Sequence, residues 1–266
     1  MPNGILTQSI ANVQQTEATI RAFSGLPPQA VSIQTQVDQV VTDLLPQVQS
    51  MQQQVLAAGQ RLQTALEQQL SNPDNLTPAS LQQFIGLAED ALTPVSSVVT
   101  ATQRAATDAN NQITQDDLAL QQLGVSLQSQ IAGLNGKLTG AQQSLDDLNK
   151  KKLYLLALGI LGIPGLIALA VTLSQAQDEV NSLQSEIAQT QAQIQTQQGF
   201  LTQVTGFAQQ FSNVIDTITK VGNTLSFLSG DVGSAEHDVG SATSQTVQLF
   251  FTAALLEVKT LISDAS

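Results

Sequence analysis

LYLLALGILGIPGLIALAVTL, from Leu153 to Leu173, is the stretch on which the reading of this chain turns. Leu, Ile and Val fill twelve of its positions, and no charge occurs between Leu153 and Gln177. Lys150, Lys151 and Lys152 stand directly before it. An uncharged, mostly apolar run of about 18 residues or more is long enough to cross a bilayer. On an insertion scale its aliphatic residues favour lipid by on the order of 4–7 kcal/mol. Two other placements compete: a fully buried core helix and a plain membrane anchor.

Gly162, Ile163, Pro164 and Gly165 divide the run. Pro164 has no N–H to give and crowds the preceding turn. Pro-Gly at the two central positions suits a type II turn. The run is therefore read as a hairpin of two apolar limbs. A limb of about ten residues spans roughly 15 Å as helix, one leaflet, or roughly 33 Å as strand. The limbs are rich in Leu and Ala and show no alternation of period two. That favours a shallow helical hairpin, with a strand tongue as the alternative.

Outward from the run the sequence is rich in Gln, Ser and Thr and has helical periodicity. A first helix is expected over Ile5–Phe23, carrying Ile5, Ile10, Val13, Ile20 and Phe23, and ended by Ser24-Gly25-Leu26-Pro27-Pro28. A second runs from about Gln29 to Leu70 with a seam of Val37, Val41, Leu44, Val48, Met51, Val55, Ala58, Leu62 and Leu66. Pro46 lies inside it but off the seam, so the helix is expected to kink and continue. Thr77-Pro78 and Thr93-Pro94 both read as helix starts, Thr as cap and Pro as first helical residue. Either two helices begin there, the second reaching about Tyr154, or one helix runs past Pro94. The seam then continues through Ala106, Ala109, Ile113, Leu120, Leu123, Leu127, Leu134, Leu138, Ala141, Leu145 and Leu148. Gly124, Gly133, Gly136 and Gly140 interrupt this helix, as tolerated small residues or as places of close approach.

Beyond the run, Leu173, Ala176, Val180, Leu183, Ile187, Thr190, Ile194, Gln197, Leu201, Val204, Ala208, Phe211, Ile215, Ile218, Gly222 and Leu225 alternate in steps of three and four. That predicts a helix of roughly 80 Å to about Leu228, opposite one of roughly 90 Å before the run. Two matched rods joined by a tight turn lie antiparallel. A single crossing helix would leave both seams without a mate. Ser229–Thr243 reads as a loop, and a last helix carries Val247, Phe250, Phe251, Ala254, Leu255, Val258 and Leu261. The fold class is thus all-α: an elongated antiparallel bundle of about five helices, two of them very long, with a hydrophobic hairpin at one end. Its expected division is 1–150 and 176–266 for the bundle and 151–175 for the hairpin.

Composition narrows the function. Of 266 residues 3% are aromatic and 11% charged, which suits thin bundles with narrow buried stripes. The net charge of −12 argues against nucleic acid, whose phosphates need clustered Lys and Arg. The absence of Cys excludes disulfides, thiolate zinc sites and cysteine catalysis. The sole histidine, His237, lies between Glu236 and Asp238 in the expected last loop, a poor metal site. Asp116-Asp117 and Asp146-Asp147 are neighbours on a helix, diverging by about 100°, and read as solvated faces. No phosphate-cradling loop is visible. The expectation is a protein that is not an enzyme and needs no cofactor or metal. The start shows neither a basic nor an apolar leader region, so no cleavable signal peptide is expected.

Long polar helices with an uncharged apolar hairpin between the two longest resemble the α-helical pore-forming toxins. This superfamily holds cytolysin A, the haemolysin BL and non-haemolytic enterotoxin components, and the tripartite toxins of Gram-negative bacteria. The resemblance covers the whole chain, with 153–173 in the position of the head, and is strongest to the small C component of an Aeromonas-type system. It implies a secreted component that docks on a target-cell membrane and helps partner toxin components assemble a lytic pore. The expected membrane-inserting residues are Leu153, Leu155, Leu156, Leu158, Ile160, Leu161, Ile163, Pro164, Leu166, Ile167, Leu169, Val171 and Leu173. Lys150, Lys151 and Lys152 are expected at the headgroups. Because an exposed apolar tip invites association, a homo-oligomer hiding the heads, or a head folded back on the bundle, is expected in solution. The competing class is a membrane-anchored structural or secretion-associated coiled-coil protein. A cytosolic bundle with a buried hairpin is a third.

Overall fold

The structure is a computed structural model describing residues 4–157 and 163–266; the side chains at 73, 154–157, 163–167 and 169 lie outside it. Five α-helices follow one another: α1 (Ile5–Arg21), α2 (Pro28–Leu70), α3 (Pro78–Ala157), α4 (Ile163–Asp238) and α5 (Ser244–Ala265). Short 3-10 turns lie at Pro73–Asn75 and Val239–Ser241, and the described residues contain no strand. α3 and α4 have 80 and 76 residues. The chain forms two compact units. The first gathers Met1–Ala22, Ile33–Asp116 and Gln203–Ser266, and the second Phe23–Ser32 and Asp117–Thr202.

Caps set several boundaries. Thr77 and Ser80 exchange bonds at the start of α3: each backbone N–H donates to the other's hydroxyl, at 3.1 and 3.2 Å. Pro28 and Pro78 take first helical positions, where a missing N–H costs nothing. The Oγ1 of Thr243 accepts the N–H of Thr246 at the start of α5. Gly25, at φ +72°, supplies the left-handed residue between α1 and α2.

Two helix ends differ from the sequence reading, and one choice it left open is decided. α1 stops at Arg21, leaving Phe23 outside it. Its inward residue is Leu6, fully buried, while Ile5 is 53% exposed. Of the two readings left open at Pro94 the continuous helix holds: α3 runs through it. Ala88, Leu92, Val95 and Val99 carry an unbroken buried seam past that point, and Pro94 faces out, where the carbonyl it fails to serve meets water. α4 continues past Leu228 to Asp238 instead of ending in a loop. Buried Leu228 and Val232 extend its seam, which outweighs the cost of Gly230 and Gly233 in a helix. His237 therefore sits exposed in the last turn of α4.

The first unit contains all five phenylalanines of two ring clusters. Phe84 meets Phe250 and Phe251 edge-on at 6.2 and 5.5 Å, and Phe207 stacks on Phe211 at 6.0 Å. The α2 seam is buried or half-buried at every expected position, from Val37 to Leu66. On α4 the buried stripe is wider than the sequence suggested. Phe207, Val214 and Val221 are fully buried, while the expected Ala208, Ile215 and Gly222 are half-buried. A helix with neighbours on more than one side buries three positions per heptad, and the two-position reading found only part of that face. The C-terminus is tied down: the N–H of Thr7 donates to the Ser266 carbonyl at 3.1 Å, and Gln52 Nε2 to the Ala265 carbonyl at 2.8 Å. Gly59 lets α5 come close, since a Cβ there would lie 2.7 Å from Ile262. α5 is apolar enough, with a mean hydropathy of 1.3 over an 18-residue stretch, to pass for a membrane span, which the sequence reading did not note. Its seam of Val247, Phe251, Ala254, Val258 and Leu261 packs into this unit instead.

Asp116 and Glu257 are two half-buried acids of the first unit. Burial raises Asp116 above the usual carboxyl range, and both its oxygens accept the Gln36 amide at 3.1 Å, so it is not on a solvated face. Glu257 is raised by burial first, then by the charge of Asp231 and a hydrogen bond between the two carboxyls. With a raised pKa, folded Glu257 holds its proton to higher pH than the unfolded chain does. Stability from this source is present in mild acid and is lost as pH climbs from the ordinary carboxyl range through the raised value. Glu257→Gln is expected to raise the melting temperature at neutral pH and to make no difference near pH 4. Thermal scans across pH check this.

The second unit is simpler. It holds one stretch each of α3 and α4 with residues 23–32. Leu120, Leu127 and Leu134 are buried on α3, and Val180, Ile187, Thr190, Gln197 and Phe200 on α4. Beyond Leu134 the seam is only half-buried, at Leu138, Ala141, Leu145, Leu148, Leu173 and Ala176. A Cβ at Gly133, Gly136 or Gly140 would meet nothing within 4 Å, so these three are tolerated small residues and not close approaches. Gln103 of α3 donates to Thr219 of α4 at 2.9 Å in the first unit, and the Leu120 carbonyl accepts from Gln197 in the second. Within the first unit a Cβ at Gly222 of α4 would lie 3.5 Å from Val99 of α3, so from Val99 to Gln103 the partner on α4 moves back from Gly222 to Thr219, the order of an antiparallel pair.

Candidate functional site

The apolar run falls between the end of α3 and the start of α4. α3 is helical through Ala157, and α4 is helical from Ile163. Both flanks of the run are thus α-helix, which argues for the helical hairpin over the strand tongue. The turn is not at Pro164-Gly165. Both residues lie in the first turn of α4, where the missing N–H of proline has no helical acceptor to serve.

The side chains that the structure places here are the outer ones. Leu153 is 68% exposed and Val171 50% exposed, while Leu173 is half-buried. Leu155, Leu156, Leu158, Ile160, Leu161, Ile163, Pro164, Leu166, Ile167 and Leu169 lie outside the described side chains. Lys150, Lys151 and Lys152 are all exposed, and Lys150 Nζ stands 3.6 Å from Asp147, an exposed pair of little energetic weight. One turn of helix thus presents three cations and an exposed leucine side by side at the edge of a charge-free run. Such a surface suits the boundary between headgroups and hydrocarbon.

Among the described residues no three of His, Cys, Asp and Glu are grouped to hold a metal. Asp146 and Asp147 are exposed, as expected, and Asp117 accepts from Gln121 at 2.9 Å one turn along its own helix.

No protein-family model and no curated protein matches the chain. Solved structures do. The soluble AhlC of the tripartite alpha-pore-forming toxin AHL from Aeromonas hydrophila is 54% identical, with a TM-score of 0.84, over 99% of this chain and 98% of that one. The chain belongs to the α-pore-forming toxin family. AhlB of the same toxin has been solved in soluble, pre-pore and pore forms, all similar in fold to this chain. Its pore form is 17% identical, with a TM-score of 0.62, over 98% of this chain and 95% of that one. The HblL1 toxin component of Bacillus cereus is 12% identical, with a TM-score of 0.60, over 98% and 94%.

The sequence reading included Gln197 as a seam position and missed that its amide donates to the Leu120 carbonyl of α3. The signal was there: a glutamine in place of an apolar residue, with Gly124 in the facing helix. Phe23, read as the end of the first helix, belongs to the same place. Its ring meets Phe200 edge-on at 5.6 Å.

Proposed function

We propose that this protein is the membrane-docking component of a multi-component α-pore-forming toxin, secreted, and acting on a target-cell bilayer through residues 153–173. The observation that carries the reading is the pairing of exposed Lys150–Lys152 and Leu153 with a charge-free run held between two antiparallel helices. End-to-end likeness to AhlC supports the multi-component context. Limbs of about ten helical residues reach one leaflet, so the chain alone does not span the bilayer. Partner toxin components complete the pore, and the division into a head at 151–175 and a bundle on either side follows from this role. In solution a homo-oligomer covers the heads.

Erythrocyte lysis tests the reading. The purified chain alone is expected to give none, and to give full lysis when the other two components of a tripartite toxin are added. Lysis by the chain alone overturns the docking role. The lysines make a smaller contribution, about 1 kcal/mol each on an anionic surface. Lys150→Gln, Lys151→Gln and Lys152→Gln together are expected to weaken binding to vesicles containing phosphatidylserine and to flatten its salt dependence, as read by co-sedimentation.

A further inference from the structure

In the second unit α3 and α4 meet at one polar rung. Gln197 is 1% exposed, in a position of the α4 seam otherwise taken by aliphatic residues and one threonine. Its Nε2 donates to the Leu120 carbonyl of α3, and its Oε1, also buried, has no partner among the described residues. The seat is shaped for it. A Cβ at Gly124 would lie 3.4 Å from the Gln197 amide. Two residues on, a Cβ at Gly199 would lie 3.4 Å from the ring of Phe23, an ordinary contact distance. Phe23 in turn meets Phe200, one turn beyond Gln197, edge-on at 5.6 Å. The buried, half-satisfied amide thus lies next to a ring contact made with the α1–α2 connection.

Burying an unpaired acceptor costs about 1–3 kcal/mol, which leucine at the same place avoids. The other buried polar residue of this α4 seam, Thr190, carries no such cost, because its hydroxyl donates to the Glu186 carbonyl of its own helix at 2.9 Å. Gln197 alone makes the contact between the two helices weaker than an apolar rung would. When α3 and α4 part, water satisfies both the amide and the Leu120 carbonyl. An apolar rung gains nothing from that exposure.

We propose that the Gln197 rung, beside the Phe23–Phe200 contact, is the place at which α3 and α4 separate when the protein passes from its soluble to its lytic state. This rests on the docking function above and on a fold that, in AhlB, has soluble, pre-pore and pore forms.

Two measurements decide it. The first needs no membrane: Gln197→Leu is expected to raise the melting temperature by about 2–4 °C and to lower lysis with partner components, while Thr190→Val leaves lysis unchanged. An unchanged or lower melting temperature, or full lysis by the more stable variant, overturns the proposal. The second uses the cysteine-free background. Gly124→Cys with Gln197→Cys, oxidised, is expected to sediment with phosphatidylcholine–cholesterol vesicles like the parent yet to give no lysis, and on reduction to regain only the lowered lysis of Gln197→Leu. Equal lysis before and after reduction overturns the separation. Failure of the reduced protein to sediment contradicts the docking role instead, and leaves the melting-temperature result to decide the rung.

Discussion

Replacing Leu156 and Ile167 together with Asp is expected to abolish vesicle binding. Each exchange turns a residue that favours lipid by about 0.3–0.6 kcal/mol into one that opposes it by up to about 3 kcal/mol. Two such changes remove on the order of 6 kcal/mol, more than four decades in partition. Co-sedimentation with phosphatidylcholine–cholesterol vesicles measures it, and lysis with partner components should disappear in parallel. The variant is expected to fold, because the buried seams of both compact units lie elsewhere in the chain. Structures of soluble AhlC include a triple head mutant, so head substitutions in that relative leave a soluble fold. Sizing without detergent supplies the companion result: the double variant should shift towards monomer once its apolar tip no longer needs cover. Undiminished binding would take the run out of the mechanism.

Phe251→Ala should give the largest loss of stability. The ring is fully buried and packs edge-on against Phe84 at 5.5 Å. Truncating a buried phenylalanine costs about 3–5 kcal/mol, part lost transfer energy and part cavity. At about 2–4 °C per kcal/mol for a protein of this size class, the melting temperature should fall by roughly 10 °C. Circular dichroism at 222 nm reads this directly. The outward Phe227, 70% exposed, provides the contrast, and its replacement by Ala should change little. A small loss at Phe251 would mean that α5 is not held by the aromatic cluster.

The long helices were legible because their signal is redundant. The α2 seam repeats its apolar step from Val37 to Leu66, and every position is buried or half-buried as read. Local signals misled, or left two readings open, where they opposed that repetition. Thr93-Pro94 has the chemistry of a helix start, yet α3 passes through it because the seam on either side is worth more than one lost hydrogen bond. Ser229–Thr243 has loop composition, yet Leu228 and Val232 keep α4 helical to Asp238. Pro164-Gly165 has turn chemistry, yet both residues are also tolerated in a first helical turn, and that is where they sit.

By itself the sequence determined the periodicity, the five helices, the place of the charge-free run between the two longest, and the family these imply. All are properties of spacing along one chain. Only the tertiary structure decided which residues share a level. It widened the buried face of α4 where neighbours crowd it, and set Gln197 over Gly124 and Phe23 over Gly199. It also brought Asp231 against Glu257. Those pairings join residues tens of positions apart, and their energies depend on burial and on what stands opposite, which no local pattern carries.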